Sequence, residues 1–252
     1  MKNSPPPPVK YCYKMKLQPF PFSVLLLCLA LAAGCADKSN PETPNNGLAK
    51  DSTSTHSPEG EAASLDTLLT QYDPPGRVVW QKPEIVIQKM GDLSNQVVAD
   101  LGAGSGFFSR RLAQLAKKVI AIEVDPRFIH FMDSIKLVEL KPEYQRRFET
   151  RLATPGNSNL RPGEAGIVLI VNTYIYIQDR VPYMKNLLSV LPEGGKVIIV
   201  DFKKKRIPIS YPPASIRLEL YEVENELLAA GFSDFTSDDC SLDYQYIIVA
   251  EK

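Results

Sequence analysis

Glycine and carboxylate residues cluster in a short segment whose composition favours ligand binding. The segment Asp100–Gly106 reads Asp-Leu-Gly-Ala-Gly-Ser-Gly and continues the apolar run Val97–Leu101. Glycines at alternate positions let the backbone turn sharply and approach a ligand more closely than a β-carbon would allow. A second candidate is Glu123, which ends the next apolar run. An ionised carboxylate offers acceptors to two donors at once, so Glu123 could hold a ligand that carries paired donors.

The spacing of these glycines favours a ligand without phosphate groups. Gly102, Gly104 and Gly106 form a Gly-x-Gly-x-Gly pattern. Dinucleotide-binding proteins instead carry Gly-x-Gly-x-x-Gly, with a pyrophosphate at the helix N-terminus. The pattern therefore disfavours a nicotinamide-dependent oxidoreductase, although that function stays open as an alternative.

Apolar runs and helical patterns alternate around this segment. The pattern predicts strands at Val97–Leu101, Val119–Ile122, Phe148–Ala153, Gly166–Val171, Lys196–Phe202 and Tyr244–Ala250. It predicts helices at Phe107–Lys117, Pro126–Val138, Arg180–Val190 and Ile216–Ala230. Continuous apolar strands that alternate with helices indicate an α/β fold, with a mostly parallel sheet covered by helices on both faces. Ligands of such sheets bind beyond the carboxyl ends of the strands, where the glycine segment lies.

The glycine segment resembles motif I of the class I S-adenosylmethionine-dependent methyltransferases. Glu123 stands where that family carries an acid that accepts both ribose hydroxyls, and Val168–Thr173 and Leu191–Val197 resemble later motifs. The resemblance covers about residues 77–252 and is greatest to the small methyltransferases of quinone biosynthesis. It implies a doubly wound, mostly parallel seven-stranded sheet of the Rossmann-like type. It also implies S-adenosylmethionine as cofactor and methyl transfer as the activity.

Candidate site residues follow from the resemblance and from the aromatic content. We assign cofactor contacts to Asp100, Gly102, Ala103, Gly104, Gly106, Glu123, Val124 and Asn172. Trp80, Tyr174 and Tyr176 are candidates for the acceptor site because large rings with a polar group often line ligand sites, although packing alone would explain them equally well. Where relatives carry an acid after the third strand, this chain reads Ala153–Asn157, and no histidine follows the fourth strand. Catalytic residues therefore stay unassigned.

The N-terminal residues resemble a targeting signal. The apolar stretch Val24–Ala33 follows Lys14 and Lys16 and precedes Gly34 and Cys35. A charged region, a short apolar region and a small-residue cleavage site are typical of a secretory signal peptide. The residues before Cys35 also resemble the lipobox of bacterial lipoproteins. This implies removal of residues 1–34 and attachment of lipid, such as palmitate, to Cys35, although an uncleaved anchor stays open, as does a start at Met15.

The predicted organisation is a signal peptide at 1–34, a lipidated cysteine and flexible tether at 35–61, and a methyltransferase-like domain at 62–252. The tether is rich in Asn, Pro, Ser, Thr and Gly, and such a composition cannot bury enough apolar surface to fold. We expect a membrane-anchored lipoprotein of the bacterial cell envelope, on the periplasmic side or in the outer membrane. S-adenosylmethionine is made in the cytoplasm, so a non-catalytic, membrane-tethered binding protein for this or a related nucleoside is the alternative.

The amino-acid composition limits the kinds of partner that we expect. Lys plus Arg and Asp plus Glu each number 29, so no net field attracts nucleic acid. Three of the four cysteines precede residue 36 and the chain has two histidines, which argues against a metal site built from these residues. We expect a small or lipid-like substrate, and the oligomeric state stays unassigned.

Overall fold

The computed structural model describes residues 63–252. The predicted signal peptide at 1–34, the tether and the lipidation site at Cys35 therefore lie outside the described residues. In residues 63–252, every helix is too short or too polar to span a bilayer.

Strands and helices alternate through the described chain. The helices are α1 (Leu65–Tyr72), α2 (Arg77–Gln81), α3 (Pro83–Met90), α4 (Phe107–Leu112), α5 (Pro126–Glu139), α6 (Pro142–Gln145), α7 (Arg180–Val190) and α8 (Leu220–Ala230). The strands are β1 (Val97–Leu101), β2 (Lys118–Glu123), β3 (Phe148–Leu152), β4 (Ile167–Val171), β5 (Lys196–Phe202), β6 (Asp234–Asp238) and β7 (Gln245–Glu251). Short 3-10 helices occupy Tyr174–Tyr176 and Ala214–Ile216.

The seven strands form one sheet in the order β3-β2-β1-β4-β5-β7-β6. Strands β1 to β5 pair in parallel, and β7 runs antiparallel to both β5 and β6. The strand order reverses between β1 and β4, so this is the switch point at which an open parallel sheet binds ligands. The doubly wound, mostly parallel, seven-stranded prediction is confirmed.

Both faces of the sheet are buried. One apolar cluster includes Val98, Phe107 and Met132, and the other includes Leu101, Leu187 and Leu227. Residues on α4 and α5 thus pack on one face, and residues on α7 and α8 pack on the other. Burial on both faces explains why β4 is apolar at every position, as expected for a central parallel strand.

Several helices in the structure begin or end at residues other than those predicted. Helix α4 stops at Leu112 instead of Lys117 because the amides of Gln114 and Leu115 bond three residues back, and Lys117 N donates to Gln96 O at 3.0 Å, which directs the chain into β2. Helix α8 begins at Leu220, four residues later than predicted, after a capping box between Glu219 and Glu222. The pattern also missed β6 and the short helices α1 to α3.

Candidate functional site

A cavity of about 260 Å³ opens beyond the carboxyl ends of β1 and β4. Eight of the residues predicted from sequence line it: Trp80, Gly102, Ala103, Gly104, Glu123, Val124, Asn172 and Tyr176. The structure therefore brings most of the predicted site together at the switch point of the sheet.

The glycine loop forms one wall of the cavity. Gly102 and Gly104 have φ angles of +71° and +52°, which residues with a side chain rarely adopt. A β-carbon on Gly102 would lie 2.3 Å from Thr173 Oγ1, whereas one on Gly104 would meet no atom within 4 Å. Position 102 thus requires glycine because Thr173, just after β4, approaches it closely. At position 104 the glycine leaves open space on the cavity side of the loop.

The Glu123 carboxylate is fixed by backbone amides. Its Oε2 accepts a hydrogen bond from Gly104 N at 2.9 Å. Its Oε1 accepts from Val124 N at 2.7 Å and from Asp125 N at 3.3 Å. The carboxylate therefore joins the glycine loop to the end of β2 and keeps a defined orientation at the cavity wall.

A chain of buried amides supports Asn172, which ends β4 with a φ of +56°. Gln81 Nε2 donates to Gln245 Oε1 at 2.6 Å, and Gln245 Nε2 donates in turn to Asn172 Oδ1. Asn172 Nδ2 donates to Gln81 Oε1 at 3.4 Å. Gln81 and Gln245 are fully buried. Sequence reasoning missed both, because positions 81 and 245 share no local pattern.

Comparison with known proteins shows what the domain around this cavity is similar to. Residues 99–199 match the family model of a methyltransferase domain. The fold is that of the class I methyltransferases. The matched range contains the glycine loop, Glu123 and Asn172, and it ends within β5. No curated protein matches the sequence.

Solved structures share the methyltransferase fold. An S-adenosylmethionine-dependent methyltransferase from Aquifex aeolicus is 20% identical with a TM-score of 0.65, and the match covers 75% of this chain and 98% of that one. Phosphoethanolamine N-methyltransferase 2 of Haemonchus contortus, solved with S-adenosyl-L-methionine, is 14% identical with a TM-score of 0.57, over 76% of this chain and 60% of that one. The cyclase SpnF is also 14% identical with a TM-score of 0.57, over 68% and 80%. Since a cyclase shares the fold, the reaction must be argued from the site.

Aromatic side chains form the opposite wall of the cavity. Trp80 packs against Phe202 with ring centroids 5.6 Å apart, and the rings of Tyr72 and Tyr211 lie 6.4 Å apart. Burial, with the neighbouring Tyr211 as the next cause, raises the pKa of Tyr72 and of Tyr176 above that of an ordinary phenol. These hydroxyls therefore stay protonated at neutral pH and can donate hydrogen bonds, but they are poor general bases.

A loop after β5, residues 203–217, contributes Ile209, Tyr211 and Pro212 to the cavity wall. We call this loop the strap. Arg217 holds the strap by donating to Pro212 O at 2.9 and 2.7 Å and to Ile209 O at 2.7 Å. Sequence analysis did not identify the strap, because its contacts depend on one buried arginine near its end.

Three predicted site residues lie outside the cavity wall. Asp100 is buried and accepts a hydrogen bond from Ser109 Oγ at 2.6 Å, so it anchors α4 to β1. Gly106 begins α4 at a φ of +75°. Tyr174 is fully buried and donates to Glu226 at 2.8 Å, which ties the end of β4 to α8. The contacts that the structure shows for these three residues are structural; the cofactor assignment of Asp100 and Gly106 and the acceptor assignment of Tyr174 stay predictions.

In residues 63–252, no three His, Cys, Asp or Glu side chains lie close enough together to hold a metal ion. Cys240 is a free, half-buried thiol outside the cavity.

Proposed function

We propose that residues 62–252 form an S-adenosylmethionine-dependent methyltransferase domain that acts on a small or lipid-like acceptor. The observation that carries the proposal is the convergence of the glycine loop, Glu123 and Asn172 on one cavity at the switch point of the sheet. The match of residues 99–199 to a methyltransferase domain supports the same cofactor.

The residues present fit this cofactor. Glu123 offers a carboxylate to the two ribose hydroxyls, and the open side of Gly104 admits a ligand close to the backbone. Val124 follows Glu123 at the rim of the cavity and would contact the base. When bound, S-adenosylmethionine supplies a methyl group that is already activated by its sulfonium.

The chain contributes positioning and exclusion of water. Glu123 accepts hydrogen bonds from three backbone amides, and the raised pKa of Tyr72 and of Tyr176 keeps these two hydroxyls protonated, so none of these three side chains is suited to remove a proton. The acceptor must therefore present a lone pair that is nucleophilic at neutral pH, and any proton that it carries leaves to solvent. Alignment and desolvation of the two reactants then supply the rate enhancement.

The acceptor side of the cavity favours a ligand with a flat or apolar part. Trp80, Phe202, Ile209 and Pro212 supply apolar surface, and Tyr176 and Tyr211 add hydroxyl donors. Such walls suit an aromatic or lipid-like acceptor, consistent with the resemblance to quinone-biosynthesis methyltransferases.

A lipid on Cys35 would hold the domain at a membrane of the bacterial cell envelope, on the periplasmic side or in the outer membrane, with residues 35–61 as tether. The support is the sequence before Cys35 alone. Fractionation of cells that express the full chain should place it with membranes, and Cys35→Ala should release it or leave it uncleaved. A wild-type chain that stays uncleaved in the soluble fraction would refute the anchor.

The cofactor site is tested by calorimetric titration of S-adenosylmethionine into the full chain in mild detergent. Gly104→Val places a side chain in the cavity at a positive φ, and we expect at least tenfold weaker binding. Gly163→Val is the matched control, since Gly163 has a φ of +70°, open space around it and no place in the cavity wall. Equal affinity of both variants for S-adenosylmethionine would contradict the assignment of the cofactor site to this cavity.

Transfer is tested separately, with radiolabelled S-adenosylmethionine and a panel of quinols, phenols and amines. Labelled product that disappears with Gly104→Val supports the enzyme. Tight binding without transfer to any acceptor in the panel would favour the alternative of a tethered binding protein.

A further inference from the structure

Arg77, the first residue of α2, brings a buried positive charge to the cavity. It lines the cavity and is only 8% exposed. No carboxylate among residues 63–252 lies within ion-pair distance of it; Asp73 and Asp100 attract it only from longer range, and Arg110 and Arg111 repel it. A buried cation without an ion partner is costly, so its position calls for an explanation.

The hydrogen bonds of Arg77 leave one side of its guanidinium free. Nε donates to Gln81 Oε1 at 3.2 Å, and Nη1 donates to Tyr72 O at 2.8 Å. Nη2 donates no hydrogen bond to any of the described residues. The fully buried polar atoms without a hydrogen-bond partner do not include it. Nη2 therefore reaches accessible space, and for a side chain this buried that space is the cavity.

The guanidinium of Arg77 also lies over an aromatic ring. Arg77 Cζ lies 4.1 Å from the centre of the Phe107 ring, and Arg111 Cζ lies 3.9 Å from the same centre. Contact with the ring restricts the movement of the guanidinium, and an arginine that is held in this way suits recognition of a carboxylate.

The location of Arg77 defines which part of a ligand it would meet. Arg77 is joined through Gln81 to Asn172 at the end of β4, and it stacks on Phe107 at the start of α4. Glu123 lies at the end of β2, on the other side of the glycine loop. A cofactor with its ribose at Glu123 would have room for its amino-acid end on the side of the cavity that Arg77 lines.

We propose that Arg77 binds the carboxylate of the methionine part of S-adenosylmethionine. The inference rests on the proposed function and adds a binding residue from outside the range that matches the methyltransferase family. A carboxylate at Nη2 would supply the missing ion partner through a charge-assisted hydrogen bond. Burial lowers the pKa of Arg77 to about 10, so the side chain remains charged at neutral pH and able to make this bond.

The test compares two ligands that differ in the amino-acid end. S-adenosylhomocysteine carries the carboxylate, and methylthioadenosine lacks the whole amino-acid part. Both are titrated calorimetrically into the full chain, as wild type, Arg77→Met, Arg77→Lys and Arg111→Met. Arg111 is the matched control, because it stacks on the same ring but does not line the cavity. Thermal unfolding of each variant checks that it is folded.

We expect Arg77→Met to weaken S-adenosylhomocysteine binding roughly 10- to 100-fold and to leave methylthioadenosine binding nearly unchanged. Arg77→Lys should restore part of the affinity, and Arg111→Met should affect both ligands little. Unchanged S-adenosylhomocysteine affinity in Arg77→Met, or an equal loss of affinity for both ligands, would overturn the role of Arg77 but not the proposed function. A folded wild type that binds neither ligand would overturn the proposed function, and this inference with it.

Discussion

Two buried aspartates, Asp100 and Asp201, end strands next to the cavity without lining it. Asp100 accepts from Ser109 Oγ, and Asp201 accepts from Phe202 N at 2.8 Å and from Ile175 N at 3.4 Å. Burial, as the largest cause, raises the pKa of Asp100 to about 6 and that of Asp201 to about 7. Each carboxylate shapes the backbone beside the site, and each makes the folded state sensitive to pH.

Asp201→Asn should change how stability depends on pH. The ordinary pKa of 3.8 lies below the folded value of about 7. Between these values the unfolded chain releases the proton while the folded chain keeps it, so the unfolding free energy of the wild type falls as pH rises. This component is at most about 1.4 kcal/mol per pH unit. Asp201→Asn should lack this pH-dependent component. The unfolding free energy of the variant relative to that of the wild type should therefore increase from about pH 4 to pH 7.

The measurement is urea unfolding of both proteins at a series of pH values. Asp100 adds a similar component that ends near pH 6 and is common to both proteins, so it cancels in the difference. A difference in unfolding free energy that does not change with pH would contradict the buried, protonated state of Asp201.

Among the elements, α2 is attached to the sheet by side-chain amides rather than by apolar packing alone. The Gln81–Gln245 hydrogen bond connects α2 to β7, and Asn172 extends it to the end of β4. Polar networks of this kind stabilise a fold only while every member is satisfied. The position of Arg77 and Trp80 at the cavity depends on this connection.

Gln81→Leu and Gln245→Leu should each lower the unfolding free energy by about 2 kcal/mol, because each leaves buried partners unsatisfied. The double variant should be less destabilised than the sum, by on the order of 1 kcal/mol. Urea denaturation of the wild type, the two single variants and the double variant gives the coupling free energy between the two glutamines. Gln88→Leu on the exposed face of α3 serves as control and should change little. Strict additivity would argue that the two glutamines act independently.

The strap is the second element that the sheet does not hold directly. Arg217→Met removes the donors to Pro212 O and Ile209 O, so the strap should open more often. We expect tryptic cleavage at the exposed residues Lys204, Lys205 and Arg206 to become several-fold faster, followed by mass spectrometry of the fragments. Arg161→Met, at an exposed arginine outside the strap, should cleave there like the wild type. Equal rates for both variants would show that Arg217 does not hold the strap.

At the scale of the whole molecule, the cavity is shared by parts of the chain that are distant in sequence. Trp80 from α2, the glycine loop after β1 and Tyr211 of the strap all line it. A ligand that contacts all three should stabilise the folded chain as one unit, since it binds the folded state only.

S-adenosylhomocysteine at 100 times its dissociation constant should therefore raise stability by about 2.7 kcal/mol. For a domain of this size the unfolding midpoint should rise by roughly 5 to 10 °C. Trp80 is the single tryptophan of the chain, so its fluorescence should change on the same titration. Gly104→Val should lose both responses. A change in fluorescence without a thermal shift would indicate binding outside the folded cavity.

The sequence by itself determined the central part of this protein. Alternate glycines after an apolar run, and an acid at the end of the next run, are local patterns. They dictate a strand, a tight loop and a helix wherever the chain folds, and they located Gly102, Gly104 and Glu123 in the site. Strands β1, β2, β4 and β5 were predictable for the same reason, because burial on both faces requires continuous apolar runs; β3, Phe-Glu-Thr-Arg-Leu, gives a weaker signal because it lies at the edge of the sheet.

Only the tertiary structure decided which distant residues complete the site. Arg77 reaches the cavity because α2 is held by Gln245, 164 positions after its partner Gln81, and no local spacing encodes such a pair. Tyr174 and Tyr176 were indistinguishable in sequence, yet one hydroxyl is buried against Glu226 and the other ring lines the cavity. Strand β6, Asp-Phe-Thr-Ser-Asp, has a single large apolar residue, so its place at the sheet edge follows from pairing with β7 and not from its own pattern.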